Sequence, residues 1–280
     1  MADETPTGRR LVTEAANPRT ADLDRLPIGE LVLRIIDEDA QVSAAVRAAR
    51  PALELATLAL VEALDAGGRW FNVGAGTSGR IGALDAAEIP PTFGLPPERV
   101  QALVAGGPAA LVGPVEGAED DVSSAPRELD KLKLGPGDAV VALSASGRTP
   151  YAVSALEHAR RRGSRAIAIT CAPGSPLAKA AEIAIVAVVG PEVIAGSTRM
   201  KGGLAQKMIL HTLSTAVMVR LGRVQGNLMT GLLAVNSKLQ DRGVRILCEL
   251  THVDRGAAER ALEEAGGSVE KALEELSRRG

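Results

Sequence analysis

The stretch Trp70-Phe71-Asn72-Val73-Gly74-Ala75-Gly76-Thr77-Ser78-Gly79-Arg80 runs from a short apolar segment into a glycine-rich turn and then into a helical pattern. The same order recurs along the chain. Residues 139–143 lead into Ser144-Ala145-Ser146-Gly147-Arg148-Thr149-Pro150, residues 166–170 lead into Cys171-Ala172-Pro173-Gly174-Ser175-Pro176, and residues 183–189 lead into the segment 190–199. Strand, turn and helix repeated in this way predict an α/β fold, a parallel sheet with helices on both faces. In such a sheet the turns gather at the carboxyl ends of the strands, where ligands bind. A further strand is expected at 100–104, and a long helix runs from Arg199 to the region of Leu221.

Outside this repeat the pattern changes. Roughly the first 25 residues are polar and rich in Pro and Thr, which reads as an extended arm. Ile28, Leu31, Val32, Ile35 and Ile36 then recur at helical spacing, and a second apolar helix covers 52–66, closed by Gly67 and Gly68. The C-terminal end turns to Glu, Ala and Arg in short helical segments, read as broken at Gly243 and at Gly266 and Gly267. Val244, Ile246, Leu247, Leu250, Val253, Ala261, Leu262, Val269, Ala272 and Leu273 are expected to form a miniature core there. The organisation read from the sequence is an N-terminal arm and helix over 1–50, a ligand-binding α/β domain over 51–225 and a helical region over 226–280.

The chain has 280 residues, 46% hydrophobic and 24% charged, which suits a globular fold with a sizeable core. Its formal net charge of −2 gives no global positive field for nucleic acid or an anionic membrane. Trp70, Phe71, Phe93 and Tyr151 are its aromatic residues, so the core must be aliphatic and base-stacking platforms are scarce. Cys171 and Cys248 form neither a disulfide framework nor a metal-ligand spacing, and His158, His211 and His252 have no metal-like spacing. The start MADETPTGRR has no apolar signal region, and no apolar run reaches the ~18–20 residues of a membrane span, so a cytoplasmic protein is expected.

The turns carry the chemistry. Gly74, Gly76 and Gly79 allow tight turning and close ligand approach, Thr77 and Ser78 supply hydroxyls, and the following helix offers free N–H groups and a positive dipole end to an anion. The spacing also satisfies the dinucleotide pattern G-x-G-x-x-G. However, the strand at 100–104 ends in Ala105-Gly106-Gly107 with no acid for a ribose, and no Walker GK[ST] follows the loop. Ser144, Ser146 and Thr149 place three hydroxyls in one turn before Pro150, which suits the first turn of a helix. Ser197 and Thr198 have capping chemistry but are followed by Arg199 and Lys201, cations that oppose a helix N-terminal dipole unless they meet an anion. Among the carboxylates, Glu88 stands just before Pro90 and Pro91, which are expected to end its helix, and Glu116, Glu119, Asp120 and Asp121 cluster in one segment. Each is more often a surface acid or a helix cap than a catalyst, and composition does not choose among them.

Taken together, GAGTSGRIGALDAAEIPPTFG (74–94), AGG (105–107), VEGAEDD (115–121), SASGRTPYAVSAL (144–156), GPEVIAGSTRMKGGLAQK (190–207), NLMT (227–230) and NSKL (236–239) resemble the N-acetylmuramic acid 6-phosphate etherases, in order over most of the chain. The resemblance implies a sugar isomerase (SIS) fold, a three-layer sandwich with N-terminal helices and a small C-terminal helical appendage. It implies a lyase that cleaves the D-lactyl ether of a 6-phosphosugar in cell-wall recycling without metal or redox cofactor. Carried over, Glu88 is the acid and Glu119 the base. Ser144, Ser146 and Thr149 hold the phosphate with Thr77 and Ser78, and Ser197, Arg80, Arg148, Arg199 and Lys201 are candidates for the substrate's anionic groups. The family has Ser-Glu-Cys where this chain has Ala87-Glu88-Ile89, and Ile89 is expected to lend Glu88 an apolar setting that favours its protonated form. A homodimer with the site near the subunit interface is implied, with no nucleic-acid or membrane partner. Competing readings are a non-catalytic sugar-phosphate module like glucokinase regulatory protein, a phosphosugar isomerase and a nucleotide-binding α/β domain. Retention of both glutamates favours the enzyme.

Overall fold

The computed structural model describes residues 12–279. Five strands form one sheet: β1 (Trp70–Gly74), β2 (Val100–Val104), β3 (Ala139–Leu143), β4 (Arg165–Thr170) and β5 (Ile183–Val186). The helices in chain order are α1 (Ile28–Asp39), α2 (Val42–Ala48), α3 (Arg50–Asp65), α4 (Gly76–Phe93), α5 (Ala109–Val112), α6 (Ser124–Lys131), α7 (Pro150–Arg161), α8 (Pro176–Ala180), α9 (Lys201–Arg220), α10 (Ser237–Thr251), α11 (Arg255–Glu264) and α12 (Val269–Arg279). All strand pairs are parallel, in the order β2-β1-β3-β4-β5. The chain leaves β1 toward β2 on one side and crosses back to β3 on the other. The connections therefore diverge between β1 and β3, which opens a crevice at the carboxyl ends of those strands. Gly74 pairs with Leu143, so the two turns beyond them begin at the same level.

Strand alternation divides the core between two layers. Trp70, Val141, Leu143, Ile167, Ile169 and Ile185 face α2, α3, α4 and α9. Phe71, Val73, Val140, Ala142, Ala166 and Ala168 face α6, α7 and α8. Burial on both faces is why these strands read as unbroken apolar runs. Helix α4 is drawn close to the sheet by glycine. A Cβ on Gly79 would lie 2.6 Å from the Gly74 carbonyl oxygen and 2.7 Å from Val104 Cγ1, and one on Gly82 would meet Asn72 Cβ at 3.0 Å.

Three expectations are corrected. Pro90 and Pro91 do not end α4, which continues to Phe93 and stops at Gly94 in the left-handed conformation. The prolines fall in the last turn, where Gly94 N–H still reaches the Pro90 carbonyl, so the helix closes despite two missing donors. Gly243 does not break the C-terminal segment. It lies inside α10, buried where the helix meets Leu262 and Val269, and a Cβ there would come within 3.0 Å of Leu262 Cδ2. The fourth apolar run is strand only over β5, because its pairing with β4 ends at Val186.

Among the described residues, the arm contains short 3₁₀ turns at Val12–Glu14, Pro18–Thr20 and Leu23–Arg25 rather than extended chain throughout. It is fastened by Thr20 Oγ1 donating to the Val193 carbonyl at 2.8 Å. Helices α10, α11 and α12 close a separate small core of Val244, Ile246, Leu247, Ala261, Leu262, Val269 and Ala272. Among the described residues no helix is long and apolar enough to cross a membrane.

Candidate active site

Two helix N-termini and a hydroxyl loop line the crevice. Thr77 and Ser78, in the first turn of α4, are half-buried, and their hydroxyls make no hydrogen bond among the described residues. Ser144 is buried at the end of β3, its Oγ 2.9 Å from Thr149 Oγ1 and 3.4 Å from Ser146 Oγ. It accepts from Gly147 N–H at 3.0 Å, while Ser146 Oγ accepts from Arg148 N–H at 3.3 Å. Gly147 has φ +65°, and the next loop pins the turn through Leu177 N–H to the Gly147 carbonyl at 2.9 Å and Cys171 N–H to the Ala145 carbonyl at 3.0 Å. A turn of this shape, opening α7 at Pro150, surrounds an anion with neutral donors and a helix dipole.

A third helix start closes the crevice from behind. Gly202 and Gly203 of α9 pack so near that added Cβ atoms would lie 3.0 Å from Ala145 Cβ and 3.3 Å from Thr77 Cγ2. Its own N-terminal donors are already occupied: Glu192, 0% exposed, accepts from Lys201 N–H at 2.9 Å and from Gly202 N–H at 2.8 Å. Burial pushes the Glu192 carboxyl above the usual range, against the pull of these two N–H groups.

The cations named from the sequence divide. Lys201 is 0% exposed and its ammonium donates to Glu38 Oε2 at 2.7 Å. Arg19 also grips Glu38, and Asn17 Nδ2 donates to it at 2.8 Å. This company, the Arg19 hydrogen bond foremost, holds the Glu38 carboxyl down to about 2. Arg80 donates to the carbonyls of Ala110 and Gly113, both at 2.9 Å, and so anchors the segment after β2. Arg148 and Arg199 are exposed, and their side chains have no bonded partner among the described residues. Ser197 is half-buried ahead of α9, and Arg199 lines a cavity of about 460 Å³ with Thr20, Leu31 and Val193 beside the arm.

The two glutamates also divide. Glu119 lies on an exposed 3₁₀ turn, Ala118–Asp120, that packs against α7. The charge of Asp121 beside it reaches Tyr151 at the start of α7, so this turn stands at the side of the hydroxyl loop. Glu88 is exposed near the far end of α4, about 16 Å along the axis from Thr77 at 1.5 Å per residue. Ile89 turns into the core and is 2% exposed, so it packs the helix and does not form the surroundings of Glu88.

Asp85, one turn before Glu88, is a buried carboxylate that sequence reading missed. Nothing local marks it, because its partner Ser214 comes from α9, 129 residues away, and donates to Oδ1 at 2.9 Å. Oδ2 is buried with no partner, and burial pushes the Asp85 carboxyl up to about 6. A cavity of about 600 Å³ between α10 and α11 lies away from these groups, and Arg255 at its wall is paired with Asp241 and Glu259. Among the described residues no three histidine, cysteine or carboxylate side chains gather as a metal would require.

The family model for the glucokinase regulatory protein N-terminal SIS domain matches residues 54–160, and the SIS domain model matches 122–216. An N-acetylmuramic acid 6-phosphate etherase from Symbiobacterium thermophilum is 52% identical over 94% of this chain and 88% of its own length. One from Yersinia pestis is 50% identical over 94% and 89%. Among solved structures, a phosphoheptose isomerase from Francisella tularensis aligns with TM-score 0.54 at 19% identity over 69% of this chain and 100% of its own. The sugar isomerase domain of an RpiR transcription factor from Sphaerobacter thermophilus aligns with TM-score 0.51 at 18% identity over 80% and 99%. Both share the fold.

Proposed function

Because the chain belongs to the N-acetylmuramic acid 6-phosphate etherase family, we propose that Glu88 and Glu119 carry the two proton transfers of that reaction while the hydroxyl loop 144–149 holds the 6-phosphate. The activity is that of a carbon–oxygen lyase. N-acetylmuramic acid 6-phosphate loses its D-lactyl ether to give N-acetylglucosamine 6-phosphate and D-lactate, a step in recycling cell-wall sugar.

In the open-chain sugar the C1 aldehyde acidifies the C2 proton. Glu119 removes it, Glu88 protonates the departing lactyl oxygen at C3, and water then adds to the unsaturated aldehyde at C3. The reaction needs one carboxyl that gives a proton and one that takes it. Ser144, Ser146 and Thr149, with Thr77 and Ser78, hold the phosphate through neutral donors, and Arg148, Arg199 and Ser197 are candidates for the substrate's anionic groups. Lys201 and Arg80 serve the site indirectly, Lys201 by securing the start of α9 and Arg80 by securing the segment that leads toward Glu119.

The observation that carries the site assignment is the separation of the glutamates. Glu119 stands at the side of the hydroxyl loop of its own chain, whereas Glu88 lies about 16 Å along α4 from Thr77. A homodimer in which Glu88 of one protomer faces the crevice of its partner brings both to one sugar. Exposed apolar side chains support such pairing: Leu84 stands one turn before Glu88 on α4, Leu204 is exposed on α9, and Ile28, Val32, Leu33 and Ile36 form a stripe on α1.

The test is direct. The protein should release D-lactate from N-acetylmuramic acid 6-phosphate. Glu88→Gln should lose turnover with phosphosugar binding retained, and Glu119→Ala should abolish exchange of the C2 proton with deuterated solvent. Near-normal turnover by Glu88→Gln, or continued exchange in Glu119→Ala, would refute the assignment. Binding without lactate release by the unsubstituted protein would instead indicate a regulatory module.

A further inference from the structure

We propose that the C-terminal helices serve the reaction by seating the end of α4, and that Gly231 and Arg223 are positioning residues for Glu88. This rests on the reading of Glu88 as the acid, and it gives a role to a part of the chain that the crevice does not use.

Glu88 stands where α4 is least able to hold itself. Pro90 and Pro91 have no N–H, so the bonds that would run back to the carbonyls of Ala86 and Ala87 are missing. Both missing rungs span Glu88, and helices bend at such gaps. Ile89 and Phe93 bury the core side of this stretch, while Ala87 and Glu88 are exposed on the other. The direction in which Glu88 projects therefore depends on what fixes the last turn from outside.

That support is backbone packed on backbone. A Cβ on Gly94 would fall 1.9 Å from the Gly231 carbonyl oxygen, and one on Gly231 would fall 2.2 Å from the Phe93 carbonyl oxygen. Gly231 belongs to the segment 223–234, which leaves the end of α9 and enters the C-terminal helices. At its start, Arg223 N–H donates to the Met218 carbonyl at 3.0 Å, and the Arg223 carbonyl accepts from Gly231 N–H at 3.1 Å. The Arg223 guanidinium reaches Glu270 of α12 at 3.2 Å. Just past Gly231, Leu232 and Ala234 are buried in the small core of α10 to α12. Their backbones are tied to the turn before α12, with Val269 N–H donating to the Leu232 carbonyl at 3.1 Å and Ala234 N–H to the Gly267 carbonyl at 2.8 Å. The segment is thus a strap, held by the C-terminal helices on one side and pressed against the end of α4 on the other. Phe93 is about 8 Å along the axis from Glu88. A misplacement of ~1 Å at a reacting group can cost roughly 100-fold in rate.

Gly231 is a clean probe, because its φ is not positive and alanine meets no backbone penalty there. The effect of Gly231→Ala comes from the contact with Phe93. Three quantities are measured: D-lactate release, exchange of the C2 proton with deuterated solvent, and calorimetric binding of N-acetylglucosamine 6-phosphate. Exchange reports the base and binding reports the phosphate loop, whereas lactate release also needs the acid. Gly231→Ala should lower lactate release by about 10- to 100-fold and leave exchange and binding within about twofold. Arg223→Met, which frees the strap from α12 without adding bulk, should lower release several-fold with the same selectivity. Arg223→Lys should restore part of it. Arg278→Met breaks the Arg278–Glu274 pair on the same helix but not the strap, and it should leave all three unchanged.

Normal lactate release by both Gly231→Ala and Arg223→Met would overturn the proposal. So would parallel losses of release, exchange and binding, or an equal loss in Arg278→Met. If Gly231→Ala does not fold, the Arg223 variants decide alone. Normal turnover by Glu88→Gln, or no lactate from the parent, would instead refute the reading on which the proposal rests.

Discussion

Gly147 has no room for a side chain. Its φ of +65° is costly for other residues, and an added Cβ would lie 2.1 Å from Ser175 Oγ. Gly147→Ala should therefore destabilise the protein by at least about 1–2 kcal/mol, the cost of left-handed backbone, and should weaken N-acetylglucosamine 6-phosphate binding as the loop shifts. Denaturant midpoints and calorimetry check the two effects. Asp85 makes a second prediction at this scale. Its carboxyl is raised from 3.8 to about 6, with burial the leading cause. The native state then binds more protons than the unfolded chain between those values, so Asp85 costs stability as pH rises through that window. Relative to the parent, Asp85→Asn should gain as pH goes from 4 to 7, by up to about 3 kcal/mol. A pH-independent difference between the two unfolding curves would contradict this. Ser144, Ser146 and Thr149 stand out in the sequence because a hydroxyl-rich turn ahead of a proline is a local pattern. Asp85 does not, because what makes it unusual is burial against a distant helix.

Helix α4 shows how an element can be legible while its end is not. The glycines at 74, 76 and 79 announced a close turn, and Gly79 is in fact wedged between β1 and β2. Gly79→Ala should cost about 1–3 kcal/mol by overpacking, read from urea unfolding. The stop at Pro90 and Pro91 was misread because a proline pair is compatible with the closing turns of a helix that tertiary contacts hold in place. Helix α9 depends on more remote help. The arm, α1 and α9 are joined through Glu38, which neutralises the buried Lys201 and accepts from Asn17. Glu38→Ala should lower stability by about 3–5 kcal/mol, because it leaves an ammonium buried without its anion. With Glu38 held down to about 2, the stabilisation is present above the unfolded pKa near 4.5 and is lost only as pH falls toward 2. The melting difference between parent and Glu38→Ala at pH 7 should shrink at pH 2.5.

For the whole molecule the consequential feature is that Glu88 lies about 16 Å along α4 from Thr77 while Glu119 lies on the turn packed against α7. If each crevice draws Glu88 from a partner, Ser144→Ala and Glu88→Ala chains should complement each other. Each alone should be inactive, and a refolded one-to-one mixture should recover about a quarter of parental activity, because half the dimers are mixed and each holds one intact site. No recovery, with mixed dimers confirmed by mass spectrometry, would mean that each chain serves its own crevice. The separate core of α10 to α12 makes its own contacts and carries none of the groups proposed for proton transfer or phosphate binding.

The sequence by itself determined the parallel sheet, the two glycine- and hydroxyl-rich turns and the family, because strand periodicity, glycine turns and ordered motifs are local properties that survive without coordinates. Tertiary structure alone decided the use of each charge. Lys201 and Arg80 look like ligands in a one-dimensional reading, and folding commits them to Glu38 and to carbonyls of the segment after β2. The physical reason is that desolvation and Coulomb energy depend on distances between residues far apart in the chain, which no local pattern encodes.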